Sequence, residues 1–244
     1  MEDDIVRTER GEGWLEIVIN RPDRRNSIIA PVSEAMREAL AAAAQDDGVS
    51  SVIIRGEGGY FCSGVDLKAL QADPPPPWRD RQGSSWRALH LALYDFPKPV
   101  IGAFEKFGIN AGSALALACD ILVAGETAFL QVGEIQQGVA APMNFAWLRI
   151  KTNEQVMSRL CFYGDRVTGP ELVRLGLAAE CVADESVVSR CREISARLAG
   201  FPPGASANIK RGIIRQRGID DPEAWFPKQA GSGPGLLGAN MVKG

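Results

Sequence analysis

Two hydrophobic patterns alternate along this chain. Short runs in which almost every residue is apolar, Trp14 to Ile19, Val52 to Ile54 and Pro99 to Phe104, read as strands. Between them lie stretches whose apolar residues recur every three or four positions, such as Val32, Met36, Ala39, Leu40 and Ala43, then Trp86 to Tyr94, then the Ala- and Leu-rich run Ala111 to Cys119. That spacing is the period of a helix with one buried face. Strand and helix patterns alternate from Trp14 to about Val182, which predicts βαβ-type units and an α/β fold. From about Ser186 the pattern is helical only: Val187 to Leu198, a break at Pro202-Pro203, then Ala205 to Arg217.

Punctuation residues sharpen these limits. Pro31 suits the first turn of a helix, where its missing N–H costs nothing. Asn110 reads as an N-cap, Thr168 to Glu171 as a capping box, and Gly176 as the stop that follows. Pro74 to Pro77 form an extended stretch that is not helical.

Composition bounds the partners. With 244 residues the chain can bury a substantial core, and with 45% apolar and 23% charged residues it reads as a soluble globular protein. It has no apolar run long enough to span a bilayer, so no membrane partner is expected. Its net charge of −3 argues against a nucleic-acid partner. The polar start MEDDIVRTER is unlike a secretory signal, and five cysteines, Cys62, Cys119, Cys161, Cys181 and Cys191, lack CxxC spacing; both point to a cytoplasmic protein with free thiols. No His, Cys and carboxylate spacing suggests a metal.

The chemistry is concentrated in two turns made of small residues. FCSGVDL at 61 to 67 follows the strand Val52 to Ile54 and a Gly-rich loop, and NAGSALALACDI at 110 to 121 follows the strand ending at Phe104. Each leads into helical sequence. Small residues let a ligand approach the main chain, and the first N–H groups of a helix have no internal partner. A developing negative charge on oxygen fits there. The turn after Asn20 adds Arg21, Arg24 and Arg25, whose planar forks suit phosphate.

Five segments in order, IVINRPDRRNSI, VIIRGEGGYFCSGVDL, KPVIGAF, ALACDILVAGETAF with GEIQQG, and YGDRVTGPELVRLGLA, resemble the enoyl-CoA hydratase/isomerase (crotonase) superfamily from about Ile17 to Ile214. The resemblance implies a crotonase-like spiral of ββα units over residues 1–185 carrying an acyl-CoA site, and a C-terminal helical region over 186–244 used in trimer assembly. It implies a homotrimer or hexamer, an acyl-CoA thioester as substrate, and no covalently bound cofactor, with coenzyme A entering as part of the substrate. In that family two main-chain N–H groups hold the thioester oxygen; the matching positions here are Val65 and Ala111. The CoA moiety would lie near Arg24, Arg25, Ser63, Val65 and Leu67.

Family hydratases use two glutamates. An ungapped match of ALACDI puts Ala114 at the first position and Glu134 at the second, so one acid is missing. Losing a positioned acid/base group costs on the order of 10²- to 10⁴-fold. Adding water needs both groups, whereas shifting a double bond from C3 to C2 needs one base, which points to isomerisation with Glu134 as the single acid/base. Gln131, Gln136 and Gln137 are the neighbours expected to hydrogen-bond it, and Pro142 stands where some dienoyl-CoA isomerases and dehalogenases of the family carry an Asp. Two alternatives remain: an acyl-CoA-binding protein without turnover, and a decarboxylase or carbon–carbon bond-forming enzyme using the same enolate.

The remaining tempting residues carry less. His90, the only histidine, is expected on a helix surface with no acidic partner, which disfavours a Ser-His-Asp hydrolase. Cys62 reads as a small buried residue, and Asp66 and Asp120 as caps.

Overall fold

The computed structural model describes residues 4–226, and within them the apolar runs assemble into two sheets. In the larger, β1 (Val6–Gly11) pairs antiparallel with β2 (Trp14–Ile19), and β3 (Ser51–Gly56), β4 (Val100–Phe104), β6 (Ile121–Gly125) and β9 (Glu180–Val182) follow in parallel. In the smaller, β7 (Phe129–Gln131) lies between β5 (Phe107–Ile109) and β8 (Val167–Thr168). The chain gives one strand to each sheet and then a helix. Thus β4 and β5 lead to α4 (Ala111–Ala118), and β6 and β7 lead to α5 (Pro142–Lys151). This repeated unit is the α/β spiral that the family resemblance implied.

Side-chain alternation along each central strand explains why the runs are continuously apolar. In β3, Val52 and Ile54 enter the main core, while Ile53 faces a second cluster on the other side of the sheet. In β4, Val100 and Phe104 take the first side, Ile101 and Ala103 the second. A parallel sheet covered on both faces has no solvent side for polar residues. The second face is covered by α8 (Val187–Ala199), which buries Val187 and Cys191 there. Each such side chain removed from water stabilises the fold by about 1.5–3 kcal/mol.

On the main-core side, α1 (Ala30–Gln45) buries Val32, Met36, Leu40 and Ala43, the spacing seen in the sequence, with Pro31 in its first turn. It packs on α3 (Gln82–Asp95). Between them in sequence, α2 (Leu67–Leu70) is a single turn capped by Asp66, whose carboxylate accepts from Ala69 N–H. The Pro74 to Pro77 stretch is non-helical, as expected, and ends in a short 3-10 turn at Arg79–Arg81.

Beyond the second sheet, α6 (Glu154–Tyr163) and α7 (Gly169–Arg174) follow, and after α8 come α9 (Ala205–Gln216) and α10 (Pro222–Trp225). The segment AGSGPGLLGANMVKG, where the family resemblance implies a charged final helix, lies outside the described residues. Asp120 is not a helix cap: it accepts from Val100 N–H and pairs with the buried Lys210 of α9. The Thr168–Glu171 capping box does not form either. Thr168 precedes α7 without a side-chain cap bond, and Glu171 turns to Arg159 and Arg174, which hold its carboxyl down at about 2.

The larger correction is His90. It lies wholly buried on α3 and not on a surface, edge-on to Trp86 at 4.2 Å between ring centres, with its Nδ1 accepting from Trp147 Nε1 at 2.8 Å. Tyr94 and Phe226 complete the aromatic cluster. Its helical spacing was compatible with either face, and only the position of α5 decided which. Burial pushes the imidazole down to about 3, so the folded protein keeps it neutral through the range where an unfolded chain protonates it.

The unfolded state therefore binds the extra proton, and this contribution to stability is lost as pH falls from about 6.5 toward 3. Glu134, raised to about 7, works in the opposite sense over pH 4.5 to 7. Replacing His90→Gln, which keeps an acceptor for Trp147, should remove only the first effect. Urea unfolding at pH 7 and pH 5 is expected to show the variant gaining about 2 kcal/mol relative to the unsubstituted chain on acidification. Equal shifts in both proteins would place His90 in contact with solvent.

Candidate functional site

The two small-residue turns come together because glycines at their contacts offer no side chains to hold them apart. Cys62 bridges Gly108: its N–H donates to the Phe107 carbonyl and its carbonyl accepts from Ile109 N–H, both at 3.1 Å. A Cβ on Gly112 would fall 2.2 Å from the Cys62 carbonyl oxygen, and one on Gly64 would fall 2.8 Å from that of Ile109. Glycine at both positions is thus a packing requirement, and Gly64 also takes φ of 98°, where side chains are strained.

Asn110, at φ of 53°, holds the second turn in an unusual conformation for a residue with a side chain. Its N–H donates to Gln131 O at 2.8 Å and its side-chain oxygen accepts from Gly133 N–H at 2.8 Å. Its side chain therefore does not cap α4; it ties the turn to the loop that carries Glu134. Among the described residues the N–H groups of Val65 and Ala111 make no hydrogen bond. Both stand next to the contact between Gly64 and the Ile109–Asn110 turn.

Glu134 opens a 3-10 turn, Glu134–Gln137, directly after β7. Its Oε1 accepts from Asn144 Nδ2 at 2.8 Å, while Oε2 is shielded from solvent and has no partner. Burial drives the carboxyl up to about 7, against the opposing pull of its own backbone N–H and then of the Asn144 side chain. At neutral pH the group thus divides between base and acid, the condition that suits a proton carrier. It lines a cavity of about 470 Å³ with an apolar wall that includes Val132, Val139, Phe145, Met157 and Phe162. Glu154 also lines that cavity, exposed in the first turn of α6.

The glutamines expected beside Glu134 do not reach it: Gln131 and Gln136 both donate to the carbonyl of Gly164. The partner is Asn144, which the sequence reading missed. Its one signal was a polar residue among Met143, Ala146 and Trp147, the buried face of α5. Ala114 is fully buried in α4 and offers no acid.

Arg24, Arg25, Ser63, Val65 and Leu67 line a second cavity, about 230 Å³, together with Asp66. Asp66 is buried, which by itself would raise its carboxyl, but Ala69 N–H and the guanidinium of Arg21, 2.9 Å away, outweigh this and hold it below the usual range. Arg24 approaches the same carboxylate at 3.4 Å and stays partly exposed. Arg21 is therefore the structural arginine of this turn, while Arg25 makes no ion pair among the described residues. Cys62 is buried, and its thiol is pushed up to about 12 by burial, which leaves it no part as a nucleophile. The described residues contain no group of three or more His, Cys, Asp or Glu that could hold a metal.

Comparison with known proteins gives a consistent picture. The model of the enoyl-CoA hydratase/isomerase family matches residues 9–223. A probable enoyl-CoA hydratase of Mycobacterium bovis, EchA12, is 32% identical over 194 residues, which is 76% of this chain and 68% of that protein. Carnitinyl-CoA dehydratase of Proteus mirabilis is 30% identical, covering 86% of this chain and 80% of its own. The 1,2-epoxyphenylacetyl-CoA isomerase of Escherichia coli is 28% identical, covering 83% and 79%. Among solved structures, an enoyl-CoA hydratase/isomerase from Xanthobacter autotrophicus aligns with a TM-score of 0.82 at 26% identity, covering 91% of this chain and 82% of that one.

Proposed function

The chain belongs to the enoyl-CoA hydratase/isomerase family, and from that premise we propose that it moves the double bond of a 3-enoyl-CoA thioester to C2, with Glu134 as its single acid and base. The relatives named above include a hydratase, a dehydratase and an isomerase, so membership alone leaves the reaction open. The observation that carries the choice is the pairing of a buried Ala114 with a Glu134 carboxyl balanced near pH 7.

In this reading the N–H groups of Val65 and Ala111 hold the thioester oxygen. Ionised Glu134 takes a proton from C2, electrons move into the carbonyl, and the resulting dienolate is stabilised by the two amides. The same carboxyl then returns the proton at C4. Each donor aimed at the oxyanion lowers the barrier by about 2.7–4 kcal/mol. Arg24 and Arg25 border the cavity assigned to the CoA moiety, alongside Ser63, Val65 and Leu67. Exposed Phe162 and Tyr163 on α6, and Ile209 and Ile213 on α9, support assembly into the homotrimer or hexamer implied by resemblance.

The test is a direct comparison of two substrates. Purified protein is expected to isomerise a 3-enoyl-CoA at least about 100-fold faster than it hydrates crotonyl-CoA, the penalty for one missing acid/base group. The reverse ranking would overturn the single-acid reading. Tight binding of CoA esters with no turnover would make the protein a carrier.

A further inference from the structure

Asn144 sits on the first turn of α5 with its side chain almost wholly buried. Its Nδ2 donates to two oxygens, the carbonyl of Asn110 at 3.1 Å and Oε1 of Glu134 at 2.8 Å. The Asn110 carbonyl is an acceptor only, which fixes the orientation of the amide. Its Oδ1 lies 2.7 Å from Ser113 Oγ, which is also 2.7 Å from the Asn110 carbonyl. Asn110 directly precedes Ala111, so one amide group joins the backbone turn to the carboxylate. Both of its N–H bonds are committed, leaving no donor with which to hold a water molecule.

We propose that Asn144 is a positioning residue that holds Glu134 Oε1 and so confines proton transfer to Oε2. This rests on the isomerase reading above. In the first half-reaction the C2–H bond breaks and an Oε2–H bond forms, with the electron pair passing into the thioester carbonyl. In the second, that Oε2–H bond breaks, a C4–H bond forms and the double bond settles between C2 and C3. The proton leaves and returns on one oxygen, and a route using a different oxygen for each carbon is closed because Oε1 is held.

The titratable groups facing Glu134 are few. From α6 come Cys161, pushed up to about 12 by burial and by Glu134 itself and so neutral, and Glu154 in the cavity wall. From α4 and α5 the linked residues Ser113 and Asn144 carry no charge. Loss of the Asn144 donor should therefore appear directly in the titration of Glu134.

Two variants and two readouts test this. Asn144→Leu removes the donors at similar volume, and Asn144→Asp keeps the shape without N–H groups. In both, the Glu134 carboxyl followed by carbon-13 NMR without substrate should titrate about one pH unit higher or more, since a hydrogen bond to a charged group is worth about that much. For 3-enoyl-CoA, kcat is expected to fall about 100-fold with KM within about two-fold, as misplacement of a reacting group does. An unmoved titration midpoint in both variants would overturn the proposal, as would full kcat in Asn144→Asp. If the midpoint moves but the unsubstituted protein turns over no 3-enoyl-CoA, the isomerase reading fails and takes the Oε2 route with it. Loss of turnover in Glu134→Gln beside an unmoved midpoint in the Asn144 variants would leave that reading intact and remove Asn144 alone.

Discussion

Glu134→Gln is expected to lower turnover of a 3-enoyl-CoA by about 10⁴-fold or more while CoA-ester affinity stays within about two-fold. The upper end of the usual acid/base contribution applies because this carboxyl would act twice, removing the proton and returning it. The substitution is gentle on the fold, since the Gln carbonyl can still accept from Asn144 Nδ2, which donates 2.8 Å from Oε1. Binding would rest on the two turns and on the arginine-lined cavity, neither of which touches the substituted atom.

The pH profile gives the same group a second signature. The base must be ionised, and Glu134 titrates at about 7. The logarithm of kcat/KM should therefore fall by about one per pH unit on the acid side, with its midpoint near 7, and level off above it. An ordinary exposed glutamate would place that midpoint near 4.3. Unchanged activity in Glu134→Gln, or a profile flat down to pH 5, would take Glu134 out of the mechanism.

The second large effect is at Gly64. Gly64→Val forces a branched side chain into a backbone conformation at φ of 98° and drives its Cβ toward the Ile109 carbonyl, 2.8 Å away. The turn must then move relative to Asn110 and Ala111. If the Val65 and Ala111 amides share a substrate oxygen, separating them should lower kcat by about 10²- to 10³-fold, the loss of one oxyanion donor. The acid limb should keep its midpoint, because Glu134 is held from α5 and not from this turn. Gly204→Ala is the control: it has φ of 78° with nothing within 4 Å of the added carbon, so it carries backbone strain of about 1–2 kcal/mol without approaching the site. Unimpaired turnover in Gly64→Val would separate the two amides from the chemistry.

Much of the fold was legible because its signals are local. The all-apolar runs became the strands of a sheet covered on both faces, and the spacing Val32, Met36, Leu40, Ala43 became the buried face of α1. The two small-residue turns stood out in the sequence as places where a ligand could approach the main chain, and in the structure they contact each other through Gly64 and Gly112. Side-chain partnership was not legible. Glu134 could be singled out, but Gln131 and Gln136 turn to the Gly164 carbonyl instead, and its partner lies ten residues away on another element.

His90 and Asn144 show the same limit from two sides. Each is a polar residue at helical spacing, and periodicity tells which residues share a face but not what the face meets. The sequence by itself determined the α/β alternation and the two Gly-containing turns; the reading of Glu134 as a lone acid beside Ala114 came from the family resemblance. Only the tertiary structure decided that His90 is buried against Trp147 and that Asn144 links the Asn110 turn to the Glu134 carboxylate. The reason is physical: hydrophobic period and turn chemistry act over a few residues, whereas desolvation and hydrogen-bond partnership depend on elements that meet only once the spiral has closed.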